Sequence, residues 1–195
     1  MSGMARPVTH DDQLRHTLLN TTAALVAERG PAGVTLRDLA AAAGTSTTAI
    51  YSLFGGKAQL LKAVVNHGFA SFGAAQEAAA DGGLRALGIA YRQWAQDHPA
   101  LYRLMFGGLL NLKEGRQDPP EPESEITLQP LLSAIRAGQE RGTLRDGSPQ
   151  EIAAVIWAQV HGMVSLEMAG LGSPTADRGT QYLAALDAIE RAWAI

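Results

Sequence analysis

The 195-residue sequence contains no cysteine. Without thiols the chain cannot carry a cysteine nucleophile, a cysteine-ligated zinc site or a disulfide. Long apolar runs are also missing, because no stretch reaches the roughly 18 consecutive residues that a membrane-spanning helix requires. The first nine residues lack the apolar stretch of a secretory signal. We therefore expect a cytoplasmic protein.

Sequence signatures of enzymes are absent as well. No Gly-x-Ser-x-Gly or His-x-x-x-His pattern occurs, and the five histidines are scattered along the chain. Gly56-Lys57 is the nearest approach to a phosphate loop, but Ala58 follows where Ser or Thr is required. The sequence predicts no catalytic residues, no metal site and no cofactor.

The chain has little excess charge of either sign. Its 16 basic and 19 acidic residues give a net charge of -3. Residues 1–57 contain five Arg and Lys against four acids, a net charge of +1, which leaves -4 for the remainder. Because phosphate contacts supply most non-specific affinity for nucleic acid, a DNA-binding surface would have to be local and near the N-terminus.

Apolar residues make up 46% of the chain and recur at helical spacing, without the strict alternation of strands. The predicted fold class is therefore all-α. A segment with three prolines and five acids at 111–125 suits a solvated loop, and the Ala/Gly-rich stretch 73–83 suggests a loose path. We predict nine helices, at about 9–30, 35–44, 46–54, 57–72, 84–97, 99–107, 128–142, 149–170 and 174–193.

Residues 35–54 have the layout of a helix-turn-helix. Thr35 and Asp38 form a capping-box pattern, Gly44 is suited to a left-handed turn, and Ser46 can cap the following helix. A tight turn between two short helices can brace the second helix for entry into a DNA major groove. Short helical hairpins without any DNA-binding role are also common, so the pattern alone leaves both interpretations open.

The residues of this segment resemble the DNA-binding signature of the TetR family. The similarity lies in Thr-Leu-Arg-Asp-Leu-Ala at 35–40, Ala-Gly-Thr-Ser at 43–46 and the run from Ile50 to Leu61. The resemblance implies a nine-helix architecture with a three-helix DNA-binding head and a helical ligand-binding and dimerisation body. It places a flexible tail at 1–8, the head at 9–56 with its helix-turn-helix at 35–54, and the body at 57–195.

The resemblance also assigns roles to individual side chains. It implies phosphate contacts by Arg37, Tyr51 and Lys57, and contacts with bases or sugar-phosphate by Thr47, Thr48 and Ser52. Ser46 is also expected among the DNA-binding residues. The second helix of the helix-turn-helix, at 46–54, departs from many relatives because it has no Lys, Arg or His. Base reading would then depend on hydroxyls, methyl contacts with thymine and DNA shape. The uncharged helix also suits an alternative function, a helical small-molecule-binding or protein-interaction module that does not bind DNA.

The C-terminal half carries the expectations for partners. Helices 149–170 and 174–193 would form a four-helix homodimer interface, as in the family, or else bury both apolar faces within a monomer. Trp157 to Gly162 resembles a Trp-His-Gly signature in the sensor domain of one branch, and His161 would be either a ligand contact or a structural histidine. Expected ligand contacts are Phe69, Trp94, Tyr102, Met105, Phe106, Trp157 and His161. We expect a repressor that a small, largely apolar ligand releases from a palindromic operator.

Overall fold

The computed structural model describes residues 10–106, 127–171 and 177–195. The predicted tail at 1–8 and the proline-rich loop at 111–125 lie outside the described residues, as do Thr9 and Pro174 at the predicted starts of the first and last helices. Within those ranges the regular structure is helical, apart from one isolated bridge between Leu144 and Ala194. The all-α prediction is confirmed. None of the described helices is both long enough and apolar enough to cross a membrane.

Nine α-helices lie in the described ranges. They are α1 His10–Arg29, α2 Leu36–Ala42, α3 Thr47–Phe54, α4 Lys57–Ala79, α5 Gly83–Asp97, α6 Pro99–Phe106, α7 Gln129–Glu140, α8 Pro149–Met168 and α9 Arg178–Trp193. The predicted starts of α7 and α8 are confirmed, because Pro130 lies in the first turn of α7 and Ser148 caps α8 through the Glu151 amide.

The fourth helix is longer than the sequence predicted. Instead of loosening after Phe72, α4 continues to Ala79 and ends in a short 3₁₀ turn, Ala80–Gly82. Alanine has the highest intrinsic helix propensity, so this Ala-rich stretch favours the helix despite Gly73. Buried Gln76 also lies in the extension, where its amide donates to the Leu87 carbonyl at 3.4 Å.

Packing divides the described chain into two compact units. The first contains residues 10–68 and 100–106, and the second contains 69–99, 127–171 and 177–195. Residues 57–68 of α4 belong to the first unit, where the His67 ring lies 5.0 Å from the His16 ring of α1. The predicted boundary between residues 56 and 57 stays a prediction. The core of the first unit contains apolar side chains from each of its first four helices, and the fully buried ones include Leu18, Leu39, Ile50 and Leu60.

The second unit is built on α8 and α9. The buried face of α8 includes Ile152, Ile156 and Val164, and α9 buries the predicted stripe of Tyr182, Leu186 and Ile189. Polar contacts fix these helices to α5. The Nε and Nη2 atoms of Arg92 each donate to Glu167 at 2.7 Å, and the Tyr182 hydroxyl donates to the Gly88 carbonyl at 2.6 Å. One face of each C-terminal helix is thus buried within its own unit.

Candidate nucleic-acid interface

The first helix of the predicted helix-turn-helix begins at a complete capping box. The Asp38 amide donates to Thr35 Oγ1 at 3.2 Å, and Asp38 Oδ2 accepts from the Thr35 amide at 2.8 Å. The hydrogen bonds from the Thr35 hydroxyl and amide lower the pKa of Asp38, because they stabilise its carboxylate form. Arg37 follows the cap and is exposed on α2.

The turn between α2 and α3 has the predicted left-handed glycine. Gly44 has a φ of +66°, and the Thr45 amide donates to the Ala40 carbonyl at 2.8 Å. Ser46 then caps α3, since its Oγ accepts from the Ala49 amide at 3.2 Å. The Ser46 hydroxyl therefore has a structural role at the start of α3, and its expected DNA contact stays a prediction.

The third helix has one buried face and one polar outer face. Ile50 is fully buried and Phe54 is 9% exposed, whereas the Tyr51 side chain is 57% exposed. Thr48 and Ser52 are exposed beside Tyr51. Thr47 is half-buried at the first position of α3. The three exposed side chains form an uncharged, hydroxyl-bearing surface, hereafter the hydroxyl face.

Backbone geometry at the end of α3 places the Tyr51 ring. A Cβ added to Gly56 would lie 3.6 Å from Tyr51 Cε1, so the ring packs against this glycine. Gly56 has a φ of +142°, a backbone conformation that residues other than glycine rarely adopt. Glycine at position 56 therefore permits the turn into α4, beside which the phenol ring packs.

Lys57 makes contacts that the sequence did not predict. Its Nζ donates to the Pro31 carbonyl at 2.6 Å and also to the Val34 carbonyl, so it joins the start of α4 to the α1–α2 loop. An ammonium group has three donors, which leaves one N-H for any other acceptor. The expected phosphate contact by Lys57 stays a prediction, limited by this geometry to a single N-H.

Arg15 is a functional candidate that sequence reasoning missed. Its Nη1 donates to the Leu53 carbonyl at 3.2 Å, and its guanidinium carbon lies 4.6 Å from the centre of the Phe54 ring. Both contacts are at the C-terminal end of α3, which has no basic residue in its own last turn. Nothing in the local sequence around α3 indicates this partner, since Arg15 is 38 residues from Leu53.

The expected ligand contacts fall into separate groups. In the first unit, the Tyr102 and Phe106 rings lie 5.1 Å apart, and Met105 packs against Gly68. In the second unit, Trp94 is buried and its indole N-H donates to Ser71 Oγ at 3.0 Å.

His161 makes hydrogen bonds through both ring nitrogens. The Tyr91 hydroxyl is 2.8 Å from Nδ1 and the Ser165 hydroxyl is 3.3 Å from Nε2, while the Trp157 ring stacks at 5.1 Å between centroids. Partial burial lowers the pKa of His161, since desolvation disfavours the imidazolium form. These contacts fit a structural histidine, and the expected ligand contact of His161 stays a prediction.

A cleft of about 340 Å³ lies between α4 and α7 in the second unit. Phe69 is the one expected ligand contact in its lining, where it is joined by Ala70, Gly73, Ala74, Glu77, Gln129 and Pro130. Sequence reasoning missed the α7 side of this cleft. An aromatic pattern indicates apolar faces, but it does not indicate which helices leave a space between them.

Two family models match the sequence. The model described as bacterial regulatory proteins of the tetR family matches residues 18–64, which include the hydroxyl face. The model described as the tetracyclin repressor-like C-terminal domain matches residues 84–189, more than half of the chain. A search of curated proteins found no match.

Solved structures with a similar fold cover nearly the whole chain. A Rhodococcus protein of unknown function is 27% identical, with a TM-score of 0.76 over 93% of this chain and 96% of that one. A TetR-family transcriptional regulator from Pectobacterium atrosepticum is 24% identical, with a TM-score of 0.70 over 97% of this chain and 98% of that one. PfmR, a TetR-family regulator from Thermus thermophilus, is 22% identical, with a TM-score of 0.70 over 89% and 97%.

Proposed function

This chain belongs to the TetR family of bacterial regulatory proteins, and we propose that it is a homodimeric repressor that a small, largely apolar ligand releases from a palindromic operator. Family membership makes the chain a DNA-binding transcriptional regulator rather than an enzyme. It also supports operator binding, an effector and dimerisation in general terms. The alternative of a helical module that does not bind DNA is therefore set aside.

The hydroxyl face of α3 is the observation that carries the proposal. Thr48, Tyr51 and Ser52 are exposed while the opposite side of the same helix is buried, so α3 presents only this side to a partner. Hydroxyls can donate to or accept from base edges, and the Thr48 methyl can contact thymine. We assign base reading to Thr47, Thr48 and Ser52, and phosphate contacts to Arg37, Tyr51 and Lys57.

Selection of DNA duplexes from a random library by the wild-type protein tests this proposal. We expect an inverted repeat whose half-sites are separated by about one helical turn, or roughly 10 base pairs, because a two-fold dimer presents α3 twice. The triple variant T48A/Y51A/S52A should enrich no sequence. S133A is the control, since Ser133 is exposed on α7 in the other unit. Equal enrichment by the triple variant would refute the assignment to α3.

The homodimer is proposed from the outer faces of α8 and α9. Val155 and Leu166 are 54% and 52% exposed, and Leu183 on α9 is 41% exposed. Between the two α8 side chains, a Cβ added to Gly162 would meet nothing within 4 Å, which leaves room for a second helix to approach. Apolar side chains grouped on one surface indicate an interface, and pairing about a two-fold axis would cover both copies.

Sedimentation equilibrium tests the dimer directly. L166E should give a monomer that binds the selected duplex much more weakly, because it introduces a charge into the apolar surface that the paired helices would cover. I89E is the matched control, since Ile89 on α5 is 46% exposed in the same unit but is not on α8 or α9. A wild-type monomer at micromolar concentration, or a dimeric L166E variant, would contradict this interface.

The effector is proposed to be largely apolar. The cleft beside Phe69 has a volume of about 340 Å³, just above the roughly 300 Å³ at which the range for ligand pockets begins. Its lining is mainly apolar. A ligand that binds the DNA-free arrangement more tightly would shift the population away from operator. We expect at least one apolar compound of a screened panel to weaken binding of the selected duplex, and F69A to remove that response. If no compound changes the affinity, ligand release fails while DNA binding stands.

A further inference from the structure

We propose that Arg15 is a positioning residue for base reading, acting on DNA specificity through α3 and not through a contact of its own with phosphate. This inference depends on the proposed role of the hydroxyl face. Arg15 lies on α1, the helix before the helix-turn-helix, and its side chain reaches across to the backbone of α3.

Arg15 contacts two consecutive residues at the end of α3. Its Nη1 donates to the Leu53 carbonyl at 3.2 Å, and its guanidinium lies 4.6 Å from the Phe54 ring centre. The last carbonyls of a helix lack partners within the helix and carry partial negative charge, so a cation there is favourable. Because α3 has no basic residue in its last turn, Arg15 supplies that charge from another helix.

The location of these contacts explains why they matter for base reading. Ser52 of the hydroxyl face directly precedes Leu53, and Tyr51 precedes Ser52. The other end of α3 is fixed by the Ser46 cap. Ser46 and Arg15 therefore hold the two ends of a helix only eight residues long, and loss of either would let the hydroxyl face change its angle. Small displacements are costly for hydrogen bonds to base edges, which depend on geometry more than phosphate contacts do.

The guanidinium group suits this position better than an ammonium. It is planar, so it can lie over the Phe54 ring while an N-H points to the Leu53 carbonyl. Lysine would keep the charge but lose the planar stacking. We therefore expect R15K to recover part of what R15M loses.

Fluorescence anisotropy with the duplex selected by wild type, and with a scrambled duplex of equal composition, tests the inference. R15M should weaken binding to the selected duplex about three- to tenfold, a fraction of what one exposed cation-π contact and one hydrogen bond together contribute to holding α3. Affinity for the scrambled duplex should stay within twofold. The slope of log affinity against log salt should be unchanged, and R15K should be intermediate. Thermal denaturation of each variant fixes an assay temperature at which all are folded.

R29M is the matched control because Arg29 is on the same helix and its guanidinium pairs with neighbouring Glu28, at 3.9 Å, rather than with α3. It should leave the ratio of the two affinities unchanged. Equal loss on both duplexes with a smaller salt slope would overturn the inference, because Arg15 would then be a phosphate contact. An unchanged affinity ratio in R15M would also overturn it. If wild type selects no duplex, the proposed function fails instead.

Discussion

Replacing Lys57 with methionine separates two roles that meet in one side chain. Lys57 Nζ donates to the Pro31 and Val34 carbonyls, and this leaves one N-H for a phosphate. K57M keeps an unbranched side chain but leaves both carbonyls without their partner. A hydrogen bond from a charged donor contributes about 1.5–3 kcal/mol, so the loss of two half-exposed ones should cost about 2–3 kcal/mol.

The stability loss should appear in thermal denaturation. For a chain of this size each kcal/mol lowers the midpoint by roughly 2–4 °C, so K57M should melt about 4–12 °C below wild type. K62M removes the same charge further along α4, where Lys62 is exposed, and it should change the midpoint less. An unchanged midpoint in K57M would mean that these two carbonyls do not depend on the ammonium.

The DNA role of Lys57 should appear in the salt dependence of binding. One lost phosphate contact lowers the slope of log affinity against log salt by about 0.9, and a homodimer with two Lys57 residues should lose about twice that. The assay is anisotropy with the selected duplex, at a temperature where K57M is folded. Loss of stability with an unchanged slope would mean that Lys57 only holds the α1–α2 loop and does not contact phosphate.

Three further outcomes are expected. T48A should lower the preference for the selected over the scrambled duplex about three- to tenfold without changing the salt slope, since it removes a base contact. G56A should lower the melting midpoint and weaken duplex binding, because a φ of +142° is strained for alanine and relief of that strain would shift the turn beside the Tyr51 ring. E167Q should lower the midpoint by breaking the bidentate pair with Arg92. The hydrogen bond from Arg92 lowers the pKa of Glu167 in the folded protein. The stabilisation from this pair is therefore present above pH about 4.5 and is lost as the pH falls through the folded pKa. Over that pH range the melting midpoint of wild type should fall more steeply than that of E167Q.

The sequence predicted the head well because its helix ends are set by local chemistry. The capping box at Thr35, the left-handed Gly44 and the Ser46 cap each depend on residues within a few positions, so a pattern reveals them. The buried Ile50 and Phe54 are four residues apart, a helical spacing that puts both on one side of α3 and leaves Tyr51 on the other. Local sequence pattern is therefore enough to predict the hydroxyl face.

What the sequence could not predict depends on contacts between distant residues. The partners of Lys57 are 26 and 23 residues away, and Arg15 reaches a carbonyl 38 residues away. No local pattern specifies such pairs. The end of α4 was misplaced for another reason: glycines at 73 and 82–83 indicate a break, but the alanines between them favour continuation of the helix to Ala79.

The absence of cysteine allows a cross-linking test of the claim that the hydroxyl face of α3 enters a DNA groove. S52C places a single thiol on that face, and R145C places one on an exposed residue of the second unit. Each is mixed with the selected duplex carrying a disulfide-activated tether on one base edge in the major groove. We predict cross-linking of S52C at one or two base positions in each half-site and none for R145C. Equal cross-linking of both variants, or none from S52C at any base position, would contradict the claim.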